Sequence, residues 1–174
     1  MVKISSGMGD KGYTNISNIN MKKSDIRVEA YGCIDELSSL IGYIISNSKN
    51  NELNKKLEKI QKELYLIGFD MQSLKQSKIS ESHIKSIEKE EEILEKKLPV
   101  LNNFILPGGT KTASLIHVAR AMCRRCERTM VKTSEEYDIN KNIIIYLNRL
   151  SDFLFLLARN ENFENNFKEK GVEK

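Results

Sequence analysis

Apolar positions recur along most of the chain at intervals of three and four, the spacing of helices that bury one stripe. The clearest run is Leu53, Leu57, Ile60, Leu64, Ile67, Met71 and Leu74, which follows a polar break at Asn47, Ser48, Asn50 and Asn51. An earlier helix fits Asp25 to about Ile45, with Asp25 or Ser24 as its N-cap, since a short side-chain oxygen there can take a free N–H of the first turn. A third begins near Ser80, holds Ile84, Ile87, Leu94 and Leu98 on one face among Glu and Lys, and stops at Pro99. The stretch "VLNNFILPGG" reads as a loop, because Pro107 and the paired glycines interrupt regular structure. A fourth helix is predicted from about Thr110 to Thr133. A fifth runs from about Ile143 to Asn160, with Ile144, Leu147, Leu154 and Ala158 inward. Residues 1–24, with "SSGMGDKGYTN", read as an irregular arm of loops and turns, and "NFKEKGVEK" as a frayed end. The pattern predicts an all-α fold, an up-and-down five-helix bundle in a single domain over 1–174. Within it the arm takes 1–24, the bundle 25–160 and a flexible tail 161–174.

Composition sharpens this little and excludes much. At 174 residues the chain fits one domain with a substantial core. Two prolines and no tryptophan argue against a loop-rich or sheet-dominated protein. A net charge of +4 is too small to imply nucleic acid. No apolar run approaches about 18 residues, so no transmembrane helix and no membrane partner are expected. The first residues, "MVKISSGMGDKG", lack the apolar stretch of a signal peptide, and the three cysteines have no framework spacing, which predicts reduced thiols in a cytoplasm.

Candidate chemistry concentrates in "GGTKTASLIHVARAMCRRCERTMVK", residues 108–132, where Arg120, Arg124, Arg125 and Arg128 fall within nine residues with Glu127 as the one acid among them. At 100° per residue, Arg120, Arg124 and Arg128 lie within about 80° of one another. Glu127 joins that side, and Leu115, Ala119, Met122, Cys126 and Met130 take the other. Stacked guanidinium groups repel unless an anion meets them, and a polyphosphate offers each fork two oxygens. A solvated face, or pairing with acids of neighbouring helices, is the better reading of this helix alone, and the interior position with a single compensating acid keeps the anion reading open. "GMGDKG" in the arm could aim N–H groups at phosphates through Gly9 and Gly12, yet by itself it is only a Gly-rich turn.

Other constellations carry less. Cys123 and Cys126 form a C-x-x-C inside a helix, without the further ligands a zinc site needs and without the helix start a redox motif wants, so core packing is expected and no metal site. His117 is expected at the edge of the core. Neither His83 nor His117 has a Glu three residues before it, so a di-iron bundle fails. A Ser–His–Asp hydrolase lacks its nucleophile turn. Asp35 and Glu36 sit mid-helix beside apolar neighbours and need a cation, for which Arg120 is a candidate. Asn148, Ser151, Asp152 and Phe155 make a patch on an apolar helix that suits either inter-helix hydrogen bonds or the rim of a small-molecule site.

Four stretches together, "GDKGYTNI", "RVEAYGCIDELSSLIG", "FILPGGTKTASLIHVARAMCRRCER" and "YLNRLSDFLFLLAR", resemble the PduO-type ATP:cob(I)alamin adenosyltransferases, in that family's order and over nearly the whole chain. The resemblance implies a five-helix bundle assembled as a homotrimer with active sites between subunits. It implies transfer of the 5′-deoxyadenosyl group of ATP, with Mg²⁺, to the cobalt of cobalamin, the substrate, bound as reduced corrinoid. A reductase and an adenosylcobalamin-dependent enzyme are possible partners. Carried onto this chain, Gly9, Asp10, Lys11, Gly12 and Thr14 form the ATP-binding arm and Lys23 adds a lysine contact. Arg124, Arg125, Glu127 and Arg128 form the ATP-binding helix segment. Asn148 is a further ATP contact with Ser151 beside it. Asp35 and Arg120 match a salt bridge across the subunit interface, and Phe104 matches the aromatic beneath the corrin that displaces its lower ligand. Arg124, Arg128 and Phe104 are thus the expected catalytic groups.

This sequence departs from the family where Met8 replaces the usual Thr of T-G-D, so a hydroxyl contact to ATP is missing or replaced. Cys126, where Ala is common, is a mild change on the packed side. Two rivals remain: a non-catalytic carrier or sensor of adenosylcobalamin or ATP on the same fold, and an RNA-binding helical protein built on "CRRCERTMVK". The second lacks aromatics interleaved with its basic residues.

Overall fold

The computed structural model describes residues 7, 9–16, 19–72 and 77–172. It is mostly helical, with five helices and one small hairpin: β1 (Tyr13–Ile16), β2 (Ile19–Lys22), α1 (Ile26–Asn47), α2 (Asn51–Gln72), α3 (Glu81–Lys97), α4 (Lys111–Glu136) and α5 (Lys141–Glu164). Met8 and Leu74 lie outside the described residues, so the readings made for them find no counterpart here.

Each helix begins where a side chain can take its first free N–H groups. Asp25 caps α1 by accepting from Arg27 N at 2.9 Å, Thr110 caps α4 through Ala113 N at 3.1 Å, and Asn140 caps α5 through Asn142 N at 3.1 Å. Arg27 forks back onto Asp25 and lies 4.1 Å from the centre of the Tyr137 ring, which ties the start of α1 to the residue that ends α4. Asn140 does more than cap. Its Nδ2 donates to Asp70 Oδ2 and to the Ile79 carbonyl, both at 2.8 Å. Asp70, buried near the end of α2, also accepts from Ile79 N at 2.9 Å. One carboxylate therefore joins the exit of α2, the entry to α3 and the start of α5.

Helix α4 packs against both α1 and α5; α1 also packs on α2, and α5 on α3. The shared core takes the stripe Ala30, Cys33, Leu37, Ile41 and Ile44 from α1 and Leu57, Ile60, Leu64 and Ile67 from α2, with Ile116, Ala119, Cys123, Cys126 and Met130 from α4. Helix α5 is buried on more of its surface than the others, including Tyr146, Leu147, Leu150, Leu154 and Leu157. Tyr146 donates its hydroxyl to Glu63 at 2.7 Å, satisfying two polar groups that the core encloses.

Two expectations change. The arm is not irregular throughout: β1 and β2 pair antiparallel in the register Tyr13↔Lys22 and Thr14↔Met21, and Met21 is buried. Four-residue strands are too short for a period of two to stand out from their neighbours. The tail expected to be flexible from 161 instead continues α5 to Glu164, and its later residues bond the chain elsewhere. Leu106 N donates to Lys170 O at 2.9 Å and Val172 N to Phe104 O at 2.8 Å. Its backbone N–H and C=O groups pair with a loop distant in sequence, which local composition cannot reveal.

Candidate functional site

The arm and Lys23 come together first. Gly12 sits at φ +77°, a left-handed conformation that other residues adopt at a cost, and its N–H closes a turn onto Gly9 O at 3.2 Å. Lys23 N donates to Gly12 O at 2.8 Å, so the hairpin brings Lys23 back beside the turn. Its ammonium lies over Gly9: a Cβ built there would stand 3.0 Å from Lys23 Nζ. Asp10 and Lys11 are exposed and Thr14 is half-buried. The result is a compact glycine turn under a lysine charge.

Helix α4 divides its arginines by partner. Arg125 is half-buried and paired with Glu36 of α1. Glu36 therefore meets Arg125 rather than Arg120, while Asp35 is exposed and has no ion pair among the described residues. Arg124 and Arg128 are exposed, one turn apart, and make no hydrogen bond or ion pair among the described residues. Beside them, Glu127 accepts from Asn148 Nδ2 at 2.9 Å. Asn148 Oδ1 in turn accepts from Arg149 Nη1 at 3.0 Å. Ser151 is buried and donates its hydroxyl to Asn148 O at 2.9 Å, so it supports Asn148 instead of facing solvent. The α4–α5 contact thus gathers Arg124, Glu127, Arg128 and Asn148. No hydrogen bond or ion pair joins them to Gly9–Thr14 or Lys23 among the described residues.

A third group surrounds Phe104. Its side chain is 87% exposed, at the edge of a cavity of about 600 Å³ lined also by Leu101, Pro107, Arg120, Phe155 and Val172. Arg120 is half-buried, and its Nε has no partner among the described residues. It points to this cavity and separates from Arg124 and Arg128, which the helix wheel had put with it. His117, one turn before Arg120, is buried, with its ring centroid 5.9 Å from that of Phe155. Burial first, and then the Arg120 charge, lower its pKa below the usual histidine value, so it is neutral near pH 7.

The cysteines are core residues. Cys33, Cys123 and Cys126 are buried and free, and Cys126 donates to the Cys33 carbonyl at 2.9 Å. Burial, reinforced by Cys33, pushes the Cys126 thiol up to about 12, so it stays protonated near neutral pH. Three contributors escaped the sequence reading: Glu36 as the partner of Arg125, and Val172 and Glu169 around the Phe104 loop. The first could have been reached from the mid-helix acids. The other two lie in a lysine-rich end that carries no periodic signal.

A family model described as cobalamin adenosyltransferase matches residues 4–161. A corrinoid adenosyltransferase of Bacillus subtilis is 38% identical over 165 residues, covering 91% of this chain and 86% of that protein. A solved structure of a phenylalanine-to-alanine variant of a PduO-type ATP:corrinoid adenosyltransferase from Lactobacillus reuteri, complexed with cobalamin and ATP, matches with a TM-score of 0.95 at 35% identity over 99% of this chain and 100% of that one. An arginine-to-lysine variant from the same organism, complexed with ATP, matches with a TM-score of 0.91 at 36% identity over 98% and 100%. With this agreement of sequence and fold across almost its full length, the chain belongs to the cobalamin adenosyltransferase family.

Proposed function

We propose that the protein transfers the 5′-deoxyadenosyl group of ATP to cob(I)alamin, giving adenosylcobalamin and triphosphate. The observation that carries this reading is the pair Arg124 and Arg128: two exposed guanidinium groups without a carboxylate partner among the described residues, beside a fixed Glu127–Asn148 contact, in a chain of this family. Reduced cobalt supplies the nucleophile. A cobalt–carbon bond forms with its electron pair, the C5′–O bond breaks, and triphosphate leaves with the electrons of that bond.

The protein then has two tasks: to hold C5′ in line with the metal and to stabilise charge on the departing triphosphate. Arg124 and Arg128 suit the second, as do Lys23 and the Gly9–Gly12 turn with Asp10, Lys11 and Thr14. Arg125 can join only by sharing or leaving Glu36. Glu127 and Asn148 orient one another at the rim. Mg²⁺, bound with ATP, would add positive charge at the phosphates. Phe104 stands beside an apolar cavity and would exclude water from the lower face of the corrin.

In this reading three copies form a bundle trimer with sites between subunits. The arm of one chain serves α4 of the next, and Asp35 pairs with Arg120 across the interface. Purified protein supplied with ATP, Mg²⁺ and chemically reduced cobalamin should form adenosylcobalamin and triphosphate in equal amounts. Binding of both ligands without a cobalt–carbon bond would instead mark a carrier or sensor.

A further inference from the structure

The chain beyond α5 returns to the molecule. It turns through Asn166 at φ 54°, and Phe167 donates its N–H back to Asn162 O at 2.8 Å. It then runs antiparallel to the loop bearing Phe104, with hydrogen bonds on either side of the Ile105–Gly171 bridge. Glu169 accepts from Arg159 Nε at 3.1 Å, while Nη2 of the same guanidinium donates to Pro99 O at 2.9 Å. One arginine of α5 thus holds both the start of the loop and the returning segment. Asn162, one turn on, holds the loop's other end: its Nδ2 donates to Gly108 O at 3.0 Å, and its Oδ1 accepts from Thr110 N at 3.0 Å.

The attachment is polar. Phe167 and Val172 remain 40% and 43% exposed, so apolar burial holds this segment only in part. The Arg159 and Glu169 side chains are only 7% and 18% exposed, and Glu169 Oε1, both His117 ring nitrogens and Arg120 Nε are buried without hydrogen-bond partners among the described residues. Removing Glu169 would leave a buried guanidinium without its counter-charge, which is far costlier than losing a surface pair. Meanwhile the side chain this framework presents, Phe104, projects almost wholly into solvent.

We propose that residues 167–172 are a strap that fixes the direction in which Phe104 is presented to the corrinoid, with Arg159 and Glu169 as the positioning pair that holds it. The ligand Phe104 meets rests on the proposed adenosyl transfer; the mechanical role of the strap does not.

The test compares the full chain with Glu169→Ala, Glu169→Gln and a deletion of residues 168–174. It reads amide exchange at Leu106, the absorption spectrum of bound cob(II)alamin, and turnover. Leu106 exchange should accelerate by about tenfold or more in Glu169→Ala and in the deletion. The spectroscopic share of cobalamin without its lower ligand should fall. kcat should drop between about tenfold and a hundredfold with the KM for ATP unchanged. Glu169→Gln, which keeps an acceptor for Arg159, should lie between. Unchanged Leu106 exchange in all variants overturns the strap, and faster exchange with an unaltered spectrum and kcat overturns its role in presenting Phe104. If the deletion does not fold, the two point substitutions decide. A full chain that binds both ligands but makes no adenosylcobalamin would refute the proposed transfer, while Leu106 exchange would still judge the strap.

Discussion

Replacing Arg124 by alanine separates the proposed chemistry from the fold. The side chain is exposed and makes no hydrogen bond or ion pair among the described residues, and its helix is held by buried groups on the opposite face, among them Cys123, Cys126 and Met130. A surface change of this kind alters stability by no more than about 0.5 kcal/mol, which moves the Tm by about 2 °C or less in a chain of this size. If the guanidinium grips the departing triphosphate, its loss removes a charge-assisted contact that strengthens as the C5′–O bond breaks. Such donors contribute about 2.7–4 kcal/mol to the barrier, so turnover should fall by about 10²–10³. Arg124→Lys keeps the charge without the planar fork and should fall between. The assay is initial-rate formation of adenosylcobalamin with ATP varied at saturating cob(I)alamin, beside a thermal melt of each variant. Equal losses in kcat and kcat/KM place the contact in the transition state; a loss confined to KM places it in ground-state binding. Rates within twofold of the parent at an unchanged Tm would remove Arg124 from the site.

Gly109→Ala should damage the loop from its far end. At φ +122° a side chain is strained, and the new Cβ would stand 1.9 Å from Asn162 Oδ1. The strain costs about 1–3 kcal/mol and the two displaced Asn162 bonds about 1 kcal/mol each, so urea denaturation should show a loss of about 3–5 kcal/mol; a loss below about 1 would refute that account. Glu91→Gln tests a half-buried carboxyl whose pKa rises from 4.5 to about 7, chiefly through burial and then through the Asp152 charge, against the opposing pull of Arg149. Because the folded value is raised, the stability from holding that proton is full below about 4.5 and is lost as pH rises through about 7. The Gln variant should match the parent near pH 4.5 and exceed it at pH 8, by about 1 kcal/mol after allowance for solvent screening. Melting curves with a constant difference across that range would contradict the assignment.

How far the sequence could be read depended on where each signal lived. The helical periods placed all five helices because one buried stripe imposes its spacing on many residues at once. Asp25 and Ser80 marked helix starts because capping is local. Asn140 was not singled out, although it caps α5, because its larger role depends on Asp70, 70 positions away. The hairpin was hidden in four-residue strands. The surroundings of Arg120 were hidden for a different reason: a wheel gives angles about an axis but not what stands opposite each angle, and the 101–107 loop and Phe155 of α5 line a cavity with Arg120. The tail failed most completely, because Glu169 acts through Arg159 and the remaining bonds are backbone groups with no sequence preference.

The candidate site residues separate by whether the chain satisfies them. Arg125 has Glu36, Glu127 has Asn148, Ser151 has the Asn148 carbonyl, and Lys23 is drawn to the glycine turn. Arg124, Arg128 and Asp35 have no ion pair among the described residues, and Arg120 has a buried Nε without an acceptor. For the exposed groups water suffices. A buried N–H without an acceptor is different, since its lost hydration costs about 1–3 kcal/mol that a partner would recover. In the assembly proposed above, Arg120 would meet a carboxylate from another copy. Asp35, exposed on α1 and unable to be needed by Arg125 while Glu36 holds it, is free to supply that carboxylate to another copy. This division is what the proposed assembly requires: a cation and an acid left for an interface pair, along with two arginines left for a phosphate chain. Charge reversal at Asp35 alone should weaken self-association, and paired reversal at Asp35 and Arg120 should restore it; sedimentation profiles indifferent to both changes would break the link between these residues and assembly.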